Sequence, residues 1–529
     1  MMFLLTISLL ALFSFPALGD TPPLSAEAFP PVNLGYAIHM PTYINITSFG
    51  LAVAKYNNIR YAQPPVGDLR FRKPKTPPPQ ADGIQDGTQY PSTDCVSSAF
   101  PEVPFPGLNG TTWGQEDCLF LNVQVPEGVK EGDRVPVLHW IHGSGYAFGS
   151  KDTIGITVDP EGLFDSLRRD GEKFVFVTSN YRLGLYGWMS SPEEDMTANI
   201  GLHDSLAAVQ WTKEHISKFG GDPERITVIG QSAGAGIINL MLTSYGGKGD
   251  LPFSQAVVQS PSIMPRRDVA SRRKEVYNQV LKSTNCINLT CLRAASPDVL
   301  KTANHHLIVE VPTGTGGGSF GPGVGFSPLV DGDIVPDEPM ILLEQGRFHR
   351  EVKRVIASNT AYEGNGLSSD TNMPDGFPDY VRINFPNASE GTIRQIQNLF
   401  PYPPGKPESI AKAYGSKAYR YVMRIPPATH ALDLSYFFFI DNTTTPVRSE
   451  SAARQAQSFL SQFIQGNNEK NGSLLLPESQ STPAWAPYGS QFRTMDVVDH
   501  GFELGFDLWE TKRICGTLLH IIKDPRNGN

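Results

Sequence analysis

A serine hydroxyl works as a nucleophile only when the backbone presents it and a base takes its proton. Ser232 has the first of these conditions written around it. The β-branched run Ile226, Thr227, Val228, Ile229 reads as a buried strand, and small and apolar residues at helical spacing follow Ser232. Between them stands Gly230-Gln231-Ser232-Ala233-Gly234. Strand, Gly-x-Ser-x-Gly and helix make a turn so sharp that the serine Oγ is pushed out at the end of a sheet. Glycines flank the serine because a Cβ there would meet the neighbouring strand and helix. The five-residue pattern alone decides little, since Gly317-Gly318-Ser319-Phe320-Gly321 matches it equally well. That copy lies in the Gly-rich stretch 313–325, with no apolar run before it and no helix after, so Ser319 reads as loop.

The hydroxyl then needs a base, and the base a third group that orients it. Glu363 follows the apolar run Val355-Ile356-Ala357 and is a carboxylate placed just past a strand. Taken alone it reads better as a loop glutamate in water. Three histidines follow it, His430, His500 and His520. A tetrahedral oxyanion also needs backbone N–H donors fixed in advance. Ile141-His142-Gly143-Ser144-Gly145-Tyr146 follows an apolar strand and is the natural donor loop, with the N–H of Ala233 completing the set.

Positioning such groups requires a sheet. Tyr43 to Ile46 and Leu51 to Lys55 read as an antiparallel ribbon. Val135 to Ile141, Phe174 to Ser179, Ile226 to Ile229, Ala256 to Gln259, Val352 to Ala357 and Tyr436 to Ile440 read as buried strands. Between them Leu202 to Phe219, Ser271 to Ser283, Glu338 to Gln345 and Glu450 to Ile464 read as helices. Alternation of this kind indicates an α/β fold with a mostly parallel sheet and helices on both faces. Ligands bind at the carboxyl ends of such strands, where Ser232 would lie.

Met1 to Gly19 is apolar and ends in small residues before Asp20, the pattern of a secretory signal, although its start lacks Lys and Arg. Residues 20–529 show no long linker, repeat or composition break and read as one elaborated domain. No later stretch is long and apolar enough to span a membrane. In a secreted chain, six Asn-x-Ser/Thr sequons become candidates for glycosylation, at Asn45, Asn109, Asn288, Asn387, Asn442 and Asn471. The five cysteines fit an oxidising compartment. Cys95 with Cys118 and Cys286 with Cys291 are possible loop closures, leaving Cys515 over. A net charge of −9 argues against a nucleic-acid partner, which needs clustered Lys and Arg.

Longer matches add a family resemblance. Ile59-Arg60-Tyr61-Ala62-Gln63-Pro64-Pro65-Val66-Gly67-Asp68-Leu69-Arg70-Phe71 is one, and Glu116-Asp117-Cys118-Leu119-Phe120-Leu121-Asn122-Val123 another. Asn180-Tyr181-Arg182-Leu183-Gly184 and Gly220-Gly221-Asp222-Pro223 complete the set. From about Val53 to Tyr488 the chain resembles the type-B carboxylesterases, α/β-hydrolases that include cholinesterases, fungal lipases and the non-catalytic neuroligins. The resemblance implies Ser232 as nucleophile, Glu363 as acid and His430 as base. It gives the oxyanion N–H groups to Ser144, Gly145 and Ala233, and the disulfides to Cys95–Cys118 and Cys286–Cys291.

Three departures stand out. Gln231 replaces the glutamate that most relatives carry before the nucleophile, and Ser144 replaces the middle glycine of the donor loop. The stretch between Glu363 and His430 is shorter by roughly a helix with its loops. The expected protein is therefore a secreted serine ester hydrolase acting on a small-molecule or lipid ester through an acyl-enzyme, with no metal or cofactor. Its rivals are a lipase or sterol esterase of the same family and a silent, neuroligin-like binding protein.

Overall fold

The computed structural model describes residues 29–527, apart from 80–82, 100, 102–106, 153–157, 169–171, 263–268, 312–325, 365–377, 379–380, 382–384, 386, 400–406, 467–468, 471–472, 475–483 and 508–513. Eleven strands form one sheet. In chain order they are β1 (Tyr43–Ile46), β2 (Ala52–Arg60), β3 (Phe120–Pro126), β4 (Val135–Ile141), β5 (Val175–Ser179) and β6 (Gly221–Gln231). Then come β7 (Gln255–Gln259), β8 (Arg354–Thr360), β9 (Ala418–Met423), β10 (Arg493–Val498) and β11 (Gly501–Phe506). Across the sheet the order is β1-β2-β3-β5-β4-β6-β7-β8-β9-β10-β11. The run from β5 to β10 is parallel. The N-terminal ribbon is antiparallel, as are the joints of β3 with β5 and of β10 with β11.

Successive side chains of a strand point to opposite faces, and here they enter two different cores. Val137, Val228, Ala256 and Val355 pack on one face with Leu202 and Val209 of α1 (Ile200–His215) and Ile237 and Leu240 of α2 (Ala233–Thr243). Leu138, Ile229, Val257 and Ile356 pack on the other, with Phe459, Leu460 and Phe463 of α4 (Glu450–Gln465). Burial on both faces is why these strands read as unbroken apolar runs.

One expected strand is absent. The run Tyr436 to Ile440 reads as a strand, yet Leu432–Phe437 form the short helix α3 and residues 438–440 continue as turn and irregular chain. Phe437, Phe438 and Phe439 are buried among Trp140, Phe176 and α4, and a segment covered all round leaves no period by which helix and strand differ. The strands β9, β10 and β11 do not stand out as apolar runs because Arg420 interrupts β9, Thr494 and Asp496 interrupt β10, and Glu503 with Gly505 interrupts β11. Buried Arg420 is satisfied by Asp507 and Asn359.

Candidate active site

β4, β6, β7, β8 and β9 are consecutive neighbours, and the segment leaving the carboxyl end of each contributes to one site. Ser232 leaves β6 with φ 57° and ψ −121° and caps α2. A non-glycine residue at positive φ is strained, and such strain persists at functional sites when the surroundings enforce it. The enforcement is visible. A Cβ on Gly234 would lie 2.1 Å from the Ile141 carbonyl oxygen, and one on Gly230 2.7 Å from the Gly234 backbone. The turn is held by hydrogen bonds from the Ser232 N–H to Gln259 O (3.0 Å) and from the Ser262 N–H to Ser232 O (3.0 Å).

Glu363 and His430 meet because β8 and β9 are parallel neighbours whose pairing continues past their ends. Ala361 donates to Met423 O, Tyr362 donates to Ala428 O, and Tyr362 bridges Thr429. One residue further on, His430 Nδ1 lies 2.5 Å from Glu363 Oε2. This juxtaposition follows from the strand ends and does not depend on the length of the crossover between them. The other carboxylate oxygen accepts from Ser260 Oγ (2.6 Å) and the Thr360 N–H (2.7 Å). Burial alone would raise the Glu363 pKa; the facing His430 charge and these three donors outweigh it and hold the carboxyl below its usual range.

The far nitrogen of the imidazole has another neighbour. Gln231 Nε2 is 2.9 Å from His430 Nε2, so the amide donates to a ring whose Nδ1–H faces Glu363. Three residues after His430, Asp433 is fully buried and accepts from Tyr421 Oη (2.6 Å) and Gln259 Nε2 (3.3 Å). Burial pushes its pKa up to about 6 against the pull of Tyr421, and the Glu363 charge adds to the rise.

The donor loop lies against the turn. A Cβ on Gly143 would be 2.6 Å from Gln231 O and 3.1 Å from Ser232 Cβ. Ser144, Gly145 and Tyr146 follow at φ 73°, 63° and 63°. For Ser144 and Tyr146 this left-handed conformation costs about 1–2 kcal/mol each. Among the described residues, the N–H groups of Ser144, Gly145 and Ala233 have no protein acceptor. That leaves them free to bind an anion.

The remaining named residues are elsewhere. Cys95 is bonded to Cys118 and Cys286 to Cys291, with Cα atoms 4.9 Å and 5.5 Å apart. Asn109, Asn288, Asn387 and Asn442 are exposed and Asn45 half-buried; Asn288 also caps a helix through the Cys291 N–H. Ser319 and Asn471 lie outside the described residues, as does the Cys515 side chain. His500 pairs with Glu503 at the surface and His520 sits on a C-terminal helix. Sequence reading passed over Ser260, Asp433, Tyr421 and Gln259. Ser260 carried one usable signal, its place directly after the strand beside the nucleophile's own. No cluster of His, Cys, Asp and Glu among the described residues is arranged to hold a metal.

Known proteins resemble this chain along most of its length. A profile described as the carboxylesterase family matches residues 42–398. Carboxylesterase patB of Penicillium expansum is 28% identical, over 92% of this chain and 95% of its own length. The secreted triacylglycerol lipase LIP1 of Gibberella zeae is 33% identical over 59% of this chain and 55% of its own. The crystal structure of Aspergillus niger EstA shares the fold, with a TM-score of 0.76 at 24% identity over 94% of this chain and 99% of EstA.

Proposed function

This chain belongs to the carboxylesterase family, as a carboxylic ester hydrolase of the α/β-hydrolase fold, and from that premise we propose that it works through a Ser232–His430–Glu363 triad and an acyl-enzyme. The 2.5 Å contact of Glu363 with His430, beside the strained turn at Ser232, is the observation that carries the reading. Ser232 Oγ attacks the ester carbonyl carbon while His430 Nε2 takes its proton. The carbonyl π electrons move to oxygen, which is bound by the N–H groups of Ser144, Gly145 and Ala233. Collapse expels the alcohol, which receives the proton from His430. Water, deprotonated by the same nitrogen, then releases the acid and restores Ser232. Glu363 holds the imidazole in the tautomer that leaves Nε2 as acceptor and stabilises the charge it gains.

Attack requires His430 to exchange Gln231 for Ser232. Among the described residues the Ser232 hydroxyl has no hydrogen-bond partner, and the resting ring is engaged with the amide. Rotation of the Gln231 side chain frees the base, and apo sites of this kind commonly tighten only when substrate is bound.

The substrate class is small-molecule or lipid esters. The protein is secreted after removal of Met1–Gly19, with Asn109, Asn387 and Asn442 as its most accessible glycan acceptors. Among the described residues no helix is long and apolar enough to cross a membrane. Substitution tests the triad directly. Ser232→Ala should lower kcat by roughly 10⁴- to 10⁶-fold, whereas Ser319→Ala should leave hydrolysis of p-nitrophenyl esters nearly intact. Survival of the Ser232 variant with loss of the Ser319 variant would overturn the assignment.

A further inference from the structure

Tyr181 belongs to the Asn180–Gly184 motif, to which the mechanism above gives no task. Its ring is completely buried and stacks on His142, centroids 4.4 Å apart. Its hydroxyl donates to the carbonyl oxygens of His142 (3.0 Å) and Gly143 (3.2 Å). In a trans peptide the C=O and N–H point in opposite directions. Fixing the Gly143 oxygen on the Tyr181 side therefore fixes the Ser144 N–H on the other side.

A second tyrosine holds the loop's far end. The Tyr146 hydroxyl donates to Ser262 O (2.5 Å), and the N–H of that same Ser262 donates to Ser232 O (3.0 Å). The Tyr146 carbonyl accepts from the Gly184 N–H (2.9 Å), which closes the loop back onto the same motif. Room for the hydroxyl depends on Gly236, where a Cβ would stand 2.1 Å from Tyr146 Oη. Burial pushes both phenols up, so each remains a protonated donor. The loop between them would otherwise be free to relax, because Ser144 and Tyr146 both sit at positive φ.

We infer that Tyr181 and Tyr146 are positioning residues that set the peptide planes of the oxyanion loop. The inference rests on the hydrolytic mechanism proposed above. Their hydroxyls touch no reacting atom: Tyr181 sets the Gly143–Ser144 plane and so the Ser144 N–H, while Tyr146 anchors the end of the turn in which Ser144 O accepts from the N–H groups of Ala147 (3.3 Å) and Phe148 (3.4 Å), the contacts that orient the Gly145 N–H. Among the described residues, losing Tyr181 Oη leaves Gly143 O one side-chain hydrogen-bond partner, His142 Nδ1 at 3.2 Å, so the donor geometry is loosened rather than abolished.

The test uses the full chain with Tyr181→Phe and Tyr146→Phe, each read with a soluble p-nitrophenyl ester and with an aryl trifluoromethyl ketone. The ketone adds to a serine as a hemiketal oxyanion and so reports on the N–H donors. Removing a donor outright costs on the order of 10²–10³-fold in kcat, so misorienting one should cost about 10-fold. We expect that loss in kcat, KM within about twofold, and a Ki for the ketone raised by the same factor as kcat/KM falls. Unchanged Ki and kcat in both variants, or a fall in kcat with unchanged Ki, would overturn the inference. If Tyr181→Phe does not fold, Tyr146→Phe decides alone. Labelling of wild-type Ser232 by a fluorophosphonate separates the two failures. If Ser232 is not labelled, the mechanism itself falls; if it is labelled and the tyrosine variants behave as wild type, only the present inference does.

Discussion

The amide of Gln231 meets the nitrogen that accepts the serine proton in the proposed mechanism, at 2.9 Å. An amide can donate to a neutral imidazole, whereas a carboxylate there can only accept and so favours the protonated ring, which is no base. Gln231→Glu should therefore move the acidic limb of the pH profile of kcat/KM to higher pH, read with a soluble ester. An unchanged or lowered limb would show that the contact is not made in the working enzyme. Glu363 gives a second pH effect. Its folded pKa lies below the ordinary 4.5, so its contribution to stability is complete above that value and disappears as pH falls through the depressed one. Wild type should accordingly lose more unfolding free energy than Glu363→Gln between pH 5 and pH 3, measured by urea denaturation. Parallel losses in the two proteins would contradict the pairing.

At the scale of elements, the site depends on how closely α2 approaches the end of β4. The approach is possible because Gly234 has no side chain, its Cβ position lying 2.1 Å from one backbone oxygen and 2.7 Å from the next. Backbone does not yield as a side-chain tip does. Gly234→Ala should cost about 1–3 kcal/mol or more, with activity lost alongside. Gly391 supplies the contrast, in the exposed first turn of helix Glu390–Leu399, where the nearest atom to a Cβ is Ser389 Oγ at 3.5 Å. There alanine should stabilise by up to about 1 kcal/mol through helix propensity. Equal effects at the two sites in denaturant titrations would mean that the α2–β4 contact is looser than the structure has it.

For the molecule as a whole, the question is how substrate arrives. The loop closed by Cys95–Cys118 carries Phe100, Val103, Phe105, Leu108 and Trp113 together with Pro101, Pro104 and Pro106. Prolines remove N–H donors and clash within helices. Among its described residues this loop contains no helix. Instead Ser97–Ser98 pairs with Thr112–Trp113 as a short antiparallel ribbon, and Trp113 packs edge-on against Phe148, close to the donor loop. A ribbon anchored in this way walls a site better than it swings open on lipid. We expect rates to follow dissolved ester, with little change when a short-chain triglyceride passes its solubility limit. A marked jump there, with good hydrolysis of long-chain triglycerides, would favour a lipase.

The sequence by itself determined the turn at Ser232, because strand, two glycines and helix are local requirements that one stretch of chain satisfies. Most parallel strands were legible too, since burial on both faces leaves continuous β-branched runs. Glu363 was legible only as a carboxylate just past a strand, and His430 only as one of three histidines; likeness to a family selected both. Their meeting is decided by sheet order, which places the ends of β8 and β9 side by side although 67 residues separate the two side chains. The same holds for Ser260, Asp433 and the hydroxyls of Tyr181 and Tyr146, whose partners come from other strands or from the segments that leave them. The helix at Leu432–Phe437 shows the converse limit. Where packing covers every side, hydrophobicity records burial but not the backbone's path, and tertiary contacts alone choose it.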